Sequence, residues 1–341
     1  MIVVCGEALI DMIPARGGAA QLRRRPQRPA TPLMNRPGAA DGYVPTPGGS
    51  PFNLAVGLAR LGTPVSLLSR LSRDSYGELL LDRLLAEGVD ARFLHRGPEP
   101  TTVAFVQDKA GLEPQFSFSE QGADRNLTLA DLPQAFPPEV LGMHFGSIAL
   151  VLEPVASTLE ACMAREKGRR MISLDPNVRP ALIHDRTGYR RRLEGWLQFT
   201  DLAKVSRADL GWLYPRERPE LVARRWLELG PALVVVTCGA DGCSGFTQSR
   251  ALDVQAMPME VSDTVGAGDS FTAGLLAWLY QHGILAARKL TTLSDKELGG
   301  ALAYAAAAAA LTCGRAGADP PNADEVEAAL SIRACDSTLD S

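Results

Sequence analysis

The stretch DTVGAGDSFTAGLLAWL, residues 263–279, sets a glycine pair and an aspartate directly ahead of an apolar run of helical length. The first N–H groups of an α-helix have no partner inside the helix and carry partial positive charge. The backbone near Gly266, Ala267 and Gly268 is therefore suited to holding a phosphate. Asp269 stands beside that backbone, where a carboxylate would normally be repelled by the phosphate, so its role decides how the segment is interpreted.

Two interpretations of Asp269 follow from these residues. In the first, the helix start stabilises the charge on a transferred phosphoryl group, while Asp269 accepts the proton of the hydroxyl that attacks it. In the second, the segment is only a capped helix behind a permissive glycine turn. The four residues from Gly266 to Asp269 leave both interpretations open.

Several familiar phosphate-binding motifs are absent from the sequence. The dipeptide Gly-Lys does not occur, which excludes a Walker A loop. Neither D-F-G nor H-R-D occurs, which excludes a protein kinase. A dinucleotide fingerprint is also unsupported, because Phe271 stands where the third glycine of G-x-G-x-x-G would fall.

Short apolar runs alternate with helical patterns along most of the chain. The apolar runs, of the kind found in parallel strands covered on both faces, are residues 2–6, 65–71, 170–175 and 232–237. The helical patterns are residues 50–62, 74–88, 153–168 and 296–314. In the first of these, Ser50 is the predicted N-cap, Pro51 the first helical residue and Gly62 the terminator. The alternation predicts an α/β fold with a doubly wound, mainly parallel sheet flanked by helices.

Two segments interrupt this alternation and are predicted to form a small β lid. Residues 14–47 are dense in Pro, Gly and Arg, and residues 101–119 contain two alternating strands around the turn signal DKAG, which predicts a hairpin. The expected organisation is a main domain over residues 1–13, 48–95 and 126–341, with lid excursions at 14–47 and 96–125. The arginines of RRRPQRP, residues 23–29, lack the interleaved aromatic residues of a nucleic-acid site.

Composition narrows the class of protein. The 341 residues are 46% hydrophobic and carry a formal net charge of −4, which gives no indication of nucleic-acid or membrane-surface binding. The six cysteines form no C-x-x-C pair and the four histidines no H-x-x-x-H pair, so neither a disulfide framework nor a zinc site is expected. The first fourteen residues suit a buried strand better than a signal peptide. We expect a cytoplasmic protein whose only metal arrives with a substrate.

A second candidate site lies in the first half of the chain. Asp11, predicted at the end of the first strand, can accept two hydrogen bonds from neighbouring hydroxyls, and Asn53 can both donate and accept. Gly48 and Gly49 allow the backbone to approach a ligand closely. This combination suits a sugar, although Asp11 alone could be a turn residue and Asn53 an ordinary residue of a first helical turn.

Together these residues resemble the ribokinase-like carbohydrate kinases, and within them the bacterial fructokinases. The two main signatures are GGSPFNLAVGLARLG, residues 48–62, and the stretch at 263–279. Further matching segments, in order, are residues 6–14, 94–106, 116–127, 144–150, 175–180, 204–210 and 236–242. Their order and spacing fit the family from residue 2 to about residue 330.

The resemblance implies a role for each matching position. Asp269 would be the catalytic base, and Gly266, Ala267 and Gly268 the anion hole. The residues implied to hold the sugar are Asp11, Gly48, Gly49, Asn53 and Arg179. Those implied to lie along the nucleotide and its phosphates are Asn177, Lys204, Ser206, Asp209, Thr237, Gly239 and Gly242. The implied ligands are a sugar, ATP and Mg²⁺, with K⁺ in a loop formed by Asp263 and Gly317.

The sequence departs from the family at two of these positions. The N-x-x-E element associated with the magnesium–phosphate network falls at Ser206 and Asp209, and Asp is one methylene shorter than Glu. The excursion at 14–47 is also longer than the family pattern, which leaves the substrate open. Fructose is expected first, with 2-keto-3-deoxygluconate, ribose and an aminoimidazole riboside as alternatives. A non-catalytic sugar-binding protein is disfavoured by the intact GAGD, and a homodimer through the lid strands is a family-level expectation.

Overall fold

The computed structural model describes residues 1–14, 42–107, 115–119 and 121–339. The strands in these ranges are β1 Ile2–Cys5, β2 Leu9–Pro14, β3 Tyr43–Gly48, β4 Val65–Ser72, β5 Leu94–Gly97, β6 Val103–Gln107, β7 Gln115–Phe118, β8 Gly142–Gly146, β9 Met171–Asp175, β10 Leu202–Ser206, β11 Leu233–Thr237, β12 Cys243–Phe246 and β13 Ala251–Val254. The α-helices are α1 Ser50–Arg60, α2 Ser75–Ala86, α3 Val155–Glu166, α4 Arg186–Leu197, α5 Arg207–Leu213, α6 Pro219–Leu229, α7 Ala267–Gln281, α8 Ala287–Leu290, α9 Asp295–Cys313 and α10 Ala323–Leu339.

The main sheet of the described chain has nine strands in the order β13-β12-β11-β10-β9-β8-β1-β4-β5. Its pairs are parallel from β11 to β5, and the pairs β11–β12 and β12–β13 are antiparallel. From β1 the chain first adds β4 and β5 on one side and then returns to place β8 on the other. The carboxyl ends of β1 and β8 therefore flank the point where the strand order reverses, which is where open α/β sheets bind ligands. The predicted doubly wound α/β fold is confirmed.

Both faces of the main sheet are covered, as the continuous apolar runs predict. Ile2 and Val4 of β1 are buried against a core that includes residues of α1, α2, α7 and α9. Val3 and Cys5, which alternate with them, are buried in a second core with residues of α3, α4, α5 and α6. Because successive side chains of a strand point to opposite faces, one strand contributes to both cores.

Helix α7, which carries Asp269, is held in place by close packing on α9. A Cβ added at Gly274 of α7 would lie 2.9 Å from the Cα of Ala305 and 3.1 Å from the Cβ of Ala308. The close packing of these helices therefore depends on small residues from both, including the alanine run at 305–310. This packing fixes the position of the α7 N-terminus relative to the sheet.

A second sheet, of four strands within the described ranges, has the order β3-β2-β6-β7. Strands β6 and β7 pair antiparallel, so the predicted hairpin is present, while its DKAG turn lies outside the described residues. The sequence predicts one buried strand over the first fourteen residues, but these residues form two strands in different sheets. The chain bends between them at Gly6, whose φ is 148°. Residues 9–13, expected in the main domain, thus belong to the second sheet together with Tyr43–Gly48, and residues 15–41 of the predicted excursion lie outside the described chain.

Helix α1 begins differently from its prediction. Gly49, with φ of 100°, occupies the N-cap position, and Ser50 is already the first helical residue. The Ser50 side chain makes no capping bond because its hydroxyl is directed to a residue of α7 instead. The end of the helix is as predicted, since Gly62, with φ of 74°, follows the last turn. Asp74 caps α2 by accepting from the N–H of Gly77 at 2.8 Å.

Candidate active site

The start of α7 has the backbone arrangement that the sequence predicts. Gly266 is its N-cap, with φ of 77°, and a Cβ there would lie 2.7 Å from the Cβ of Ala318. A residue with a side chain would be strained at this position in both conformation and space. Within the described chain, the N–H groups of Gly266 and Gly268 have no hydrogen-bond acceptor, whereas that of Ala267 makes a long bond of 3.3 Å to the carbonyl of Thr264. The helix start therefore offers backbone donors to an anion.

Asp269 lies where the first turns of α7 and α1 meet. The hydroxyl of Ser50 donates to its Oδ1 at 2.7 Å, and the side-chain amide of Asn53 donates to its Oδ2 at 3.0 Å. Burial raises the pKa of the Asp269 carboxyl, and these two hydrogen bonds together with the charge of Lys204 oppose that rise. A carboxyl group whose pKa is raised in this way is a better proton acceptor than an exposed one.

Asp11 is on β2 in the second sheet, at its junction with the main domain. Its side chain passes over Gly48 of the paired strand β3, where a Cβ would lie 2.1 Å from Oδ2 of Asp11. The pKa of Asp11 is raised to about 7, mainly by burial; the charge of Arg179 opposes this rise and the charge of Asp269 contributes to it. The three charged groups of Asp11, Arg179 and Asp269 therefore share one electrostatic environment. Gly49, the next residue, has a left-handed backbone and is also closely packed, because a Cβ there would lie 3.1 Å from the carbonyl oxygen of Glu7.

A buried ion pair lies beneath the helix start. Lys204 of β10 donates to Oδ2 of Asp175, at the carboxyl end of β9, over 2.8 Å, and both side chains are about 5% exposed. Burial alone would lower the pKa of Lys204, but Asp175, Asp209 and Asp269 raise it, so the lysine stays charged. A Cβ on Gly268 would lie 3.3 Å from the Lys204 ammonium nitrogen. The α7 start and this ammonium group thus face the same small space.

The loop that follows β9 is tied to the same ion pair. The N–H of Asn177 donates to Oδ1 of Asp175 at 3.1 Å, and the Arg179 guanidinium donates to Oδ1 of Asn177 at 2.7 Å. Asn177 has a φ of 39°, a conformation that L residues seldom adopt outside constrained sites. Arg179 lowers the pKa of both Asp11 and Asp209. The charge of Arg179 therefore acts both on Asp11, which is predicted to hold the sugar, and on Asp209, which is predicted to lie along the nucleotide.

The predicted nucleotide residues lie at the carboxyl ends of β10 and β11. Ser206 and Thr237 are directly paired partners, and Ser206 caps α5 by accepting from the N–H of Asp209 at 2.9 Å. The pKa of Asp209 is raised to about 6 by burial and by the charge of Asp175, against the opposing effect of a hydrogen bond with the Ser206 side chain.

Gly239 and Gly242 flank the turn between β11 and β12, with φ of 60° and 92°. A Cβ at Gly242 would lie 2.1 Å from the carbonyl oxygen of Val254, so this glycine is required by the fold whatever binds nearby.

The two residues predicted to form a cation loop are in contact. The N–H of Gly317 donates to Oδ2 of Asp263 at 2.9 Å, and that of Val265 donates to Oδ1 at 3.1 Å. Ala318 follows Gly317 and packs against Gly266. The Asp263–Gly317 loop therefore adjoins the anion hole.

Two residues with functional positions were not predicted. The sequence predicts Ser50 as an N-cap, although its position beside Gly48 and Gly49 in GGSPFN signals a place at the site. Asp175 opens the matching segment 175–180 without a predicted role, although an acid at the carboxyl end of a parallel strand is a signal for a site residue. In the structure, Ser50 contacts Asp269 and Asp175 pairs with Lys204.

The described ranges contain no group of three or more His, Cys, Asp or Glu residues arranged to hold a metal ion by themselves. No helix in that part of the chain has both the length and the apolar character to cross a membrane.

Comparison with known proteins identifies relatives over nearly the whole chain. The model of the pfkB family of carbohydrate kinases matches residues 1–325. A fructokinase of Rhizobium leguminosarum bv. trifolii is 38% identical over 298 residues, which cover 87% of this chain and 85% of that protein.

Solved structures agree with the sequence comparison. The crystal structure of a fructokinase with bound ATP from Xylella fastidiosa matches with a TM-score of 0.83 at 26% identity, covering 98% of this chain and 99% of that one. A fructokinase double mutant from Vibrio cholerae O395, in a form with bound fructose, ADP and potassium ion, matches with a TM-score of 0.78 at 27% identity, covering 96% and 97%.

Proposed function

The chain belongs to the pfkB family of carbohydrate kinases, and from this membership we propose that it transfers the γ-phosphoryl group of ATP to a hydroxyl of fructose. The observation that carries the proposal is the arrangement around Asp269. A half-buried carboxylate lies beside the N–H groups of Gly266 and Gly268, which have no acceptor among the described residues, and the Lys204 ammonium group is on the same side. These are the parts that phosphoryl transfer to an alcohol requires: a proton acceptor and fixed positive charge around the phosphate.

The sugar is held between the second sheet and the start of α1. Ionised Asp11 accepts hydrogen bonds from neighbouring hydroxyls, and Asn53 donates and accepts beside it. Gly48 and Gly49 add no side chains to the space for the sugar, and Arg179 supplies positive charge near Asp11. Holding the sugar here aligns one hydroxyl with Asp269, which gives the rate advantage of a fixed reaction geometry.

Asp269 is the catalytic base in this proposal. Its carboxylate takes the proton of the sugar hydroxyl while that oxygen forms a bond to the γ-phosphorus and the bond to the β-phosphate oxygen breaks, releasing ADP. The N–H groups at Gly266, Ala267 and Gly268 stabilise the charge on the transferred group. Lys204, held charged by Asp175, adds a second fixed positive charge at the same place.

ATP would lie along the carboxyl ends of β10 and β11. The residues that would contact it or its phosphates are Asn177, Lys204, Ser206, Asp209, Thr237, Gly239 and Gly242. Mg²⁺ fits this site because the carboxylate of Asp209 is a hard oxygen donor beside the carboxyl end of β10, and the ion would neutralise phosphate charge when bound. K⁺ at the Asp263–Gly317 loop would add positive charge beside the anion hole, and the Vibrio cholerae fructokinase carries a potassium ion.

The second sheet serves as a lid over the sugar. Asp11 and Gly48 belong to this sheet and Asp269 to the main domain, so sugar binding draws the sheet and the main domain together and excludes water from the reaction.

We also propose a cytoplasmic location, supported by the free thiols of Cys5, Cys162 and Cys243, and no role for nucleic acid. A homodimer through the lid strands is proposed from the family, and sedimentation velocity tests it.

A coupled assay of ADP release over a panel of sugars tests the function. The panel contains fructose, ribose, 2-keto-3-deoxygluconate and an aminoimidazole riboside, and we expect fructose to give the highest kcat/KM. A higher value for another sugar would correct the substrate and keep the chemistry. No sugar-dependent ADP release from any of them would reject the kinase function.

A further inference from the structure

We propose that the two oxygens of the Asp269 carboxylate have different tasks: Ser50 holds Oδ1 throughout, while Asn53 exchanges Oδ2 for the sugar hydroxyl. Ser50 is then a positioning residue, and Oδ2 is the atom that receives the proton. This inference rests on the proposed function of Asp269 as the base.

Both oxygens have a donor from α1 in the structure. Ser50 and Asn53 stand three residues apart in the first turn of α1 and so lie on the same side of the helix. The bond from the Ser50 hydroxyl to Oδ1 is 2.7 Å long, and the bond from the Asn53 amide to Oδ2 is 3.0 Å long. A sugar hydroxyl donating to Asp269 therefore has to displace or share one of the two donors.

Asn53 is the donor that can be exchanged with little loss. Its side-chain amide has two N–H groups and a carbonyl oxygen, so it can turn its hydrogen bonds to the sugar and remain satisfied. Ser50 has a single O–H, and Asp269 is its only side-chain hydrogen-bond partner among the described residues. Displacing Ser50 would leave its single hydroxyl without this acceptor in a half-buried place, which costs more than exchanging the amide.

The position of Ser50 also explains how the Asp269 carboxylate is oriented to accept the proton of the attacking hydroxyl. Gly49 fixes the start of α1 with its φ of 100°, and Pro51 follows Ser50 in the first turn. The serine oxygen is thus carried by a rigid helix start rather than by a loop. With Oδ1 anchored, the plane of the carboxylate is set, and Oδ2 faces the space that Asn53 vacates.

The bond from Ser50 also acts on the acidity of the base. A hydrogen bond donated to a carboxylate stabilises its ionised form, and Ser50 lowers the pKa of Asp269 against the rise caused by burial. Loss of the hydroxyl would leave Asp269 more difficult to ionise. The acid limb of the kcat profile against pH would then move to higher pH.

Steady-state kinetics of Ser50→Ala, Ser50→Thr and Asn53→Ala at saturating ATP test the assignment. We expect Ser50→Ala to lower kcat about 10-fold, the effect of one hydrogen bond to a charged group, with the KM for fructose changed less than about 2-fold. Its acid limb should shift to higher pH, and Ser50→Thr, which keeps the hydroxyl, should restore both the rate and the limb. Asn53→Ala should instead raise the KM for fructose more than it lowers kcat.

The matched control is Ser75→Ala, which removes the same hydroxyl from the first residue of α2, away from Asp269. It should leave kcat, KM and the pH profile as in the wild type. A Ser50→Ala enzyme with wild-type kcat and pH profile would overturn the assignment, as would a Ser50→Thr enzyme that behaves like Ser50→Ala. A wild-type enzyme without sugar-dependent ADP release would instead reject the proposed function itself.

Discussion

Asp11 and Asp269 come from opposite ends of the sequence and meet in one electrostatic environment. Burial raises the pKa of both carboxyls, and the charge of Asp269 adds to the rise at Asp11. Two acids this close are difficult to ionise together without compensating charge. Arg179 and Lys204 supply that charge, one acting on Asp11 and the other on Asp269.

The raised pKa of Asp11 predicts a pH dependence of sugar affinity. Because the pKa in the sugar-free protein is about 7, Asp11 is protonated below that pH and loses part of its ability to accept bonds from hydroxyls. The KM for fructose should rise about 5- to 10-fold between pH 8 and pH 6, measured at saturating ATP. Asp11→Asn should raise the KM at all pH values and abolish this dependence, whereas a KM that is flat with pH in the wild type would show that Asp11 does not act as an ionised acceptor.

Short sequence motifs predict which residues lie at the site. They do not predict which of these residues contact one another. Asp269 and Asn53 were found from the two main signatures, and the structure brings them within 3.0 Å. The sequence predicts Ser50 as an N-cap because a serine before an apolar helix has the same local pattern whether its side chain caps the helix or contacts another element. Its partner is 219 residues away, and local sequence carries no information about such a contact.

At the scale of elements, the start of α7 assigns different tasks to its two glycines. Gly266 is left-handed and packs against Ala318, so it is required by the backbone. Gly268 is exposed and in the helical conformation, and among the described residues a Cβ there would approach only the Lys204 ammonium group. The first glycine therefore serves the fold, and the second keeps the phosphate space open.

Alanine at each glycine should separate stability from activity. Gly268→Ala should leave the free energy of unfolding unchanged or raise it by up to about 1 kcal/mol, while lowering kcat/KM for ATP. Gly266→Ala should lower the free energy of unfolding by about 1 kcal/mol or more, because φ of 77° is strained for alanine. Urea unfolding and steady-state kinetics measure the two effects.

Gly195→Ala, inside α4 with open space around its Cβ position, is the control and should affect neither activity nor the site. Equal kinetics for Gly268→Ala and wild type would contradict the role of Gly268.

At the scale of the whole molecule, the sequence predicts the main sheet better than the second one. Continuous apolar runs predict parallel strands such as β1 and β4, and the helical period of the apolar residues between these runs predicts the helices. The second sheet depends on the parallel pairing of β2 with β6, in which Ile10 lies opposite Val103. Short strands with mixed exposure and partners far apart in sequence have no periodic signal, so the sequence predicts residues 9–14 as part of the first strand.

Closure of the second sheet is a prediction at this scale. Hydrogen exchange should slow in the backbone amides of β2, β3 and β6 when fructose and a non-hydrolysable ATP analogue bind, because the sheet then packs over the sugar. The amides of β13, at the far edge of the main sheet, provide the internal control and should not change. Unchanged exchange in β2, β3 and β6 under saturating ligands would show that this sheet is not a lid.

The central claim, that Asp269 is the base of a sugar kinase, is tested most directly by the variant Asp269→Asn. This change keeps the shape of the side chain and removes its ability to accept the proton. We predict that fructose-dependent ADP release falls at least about 100-fold, while fructose affinity, measured by calorimetry, changes little. Turnover within a few-fold of the wild type, with fructose still bound, would contradict the assignment of Asp269 as the base.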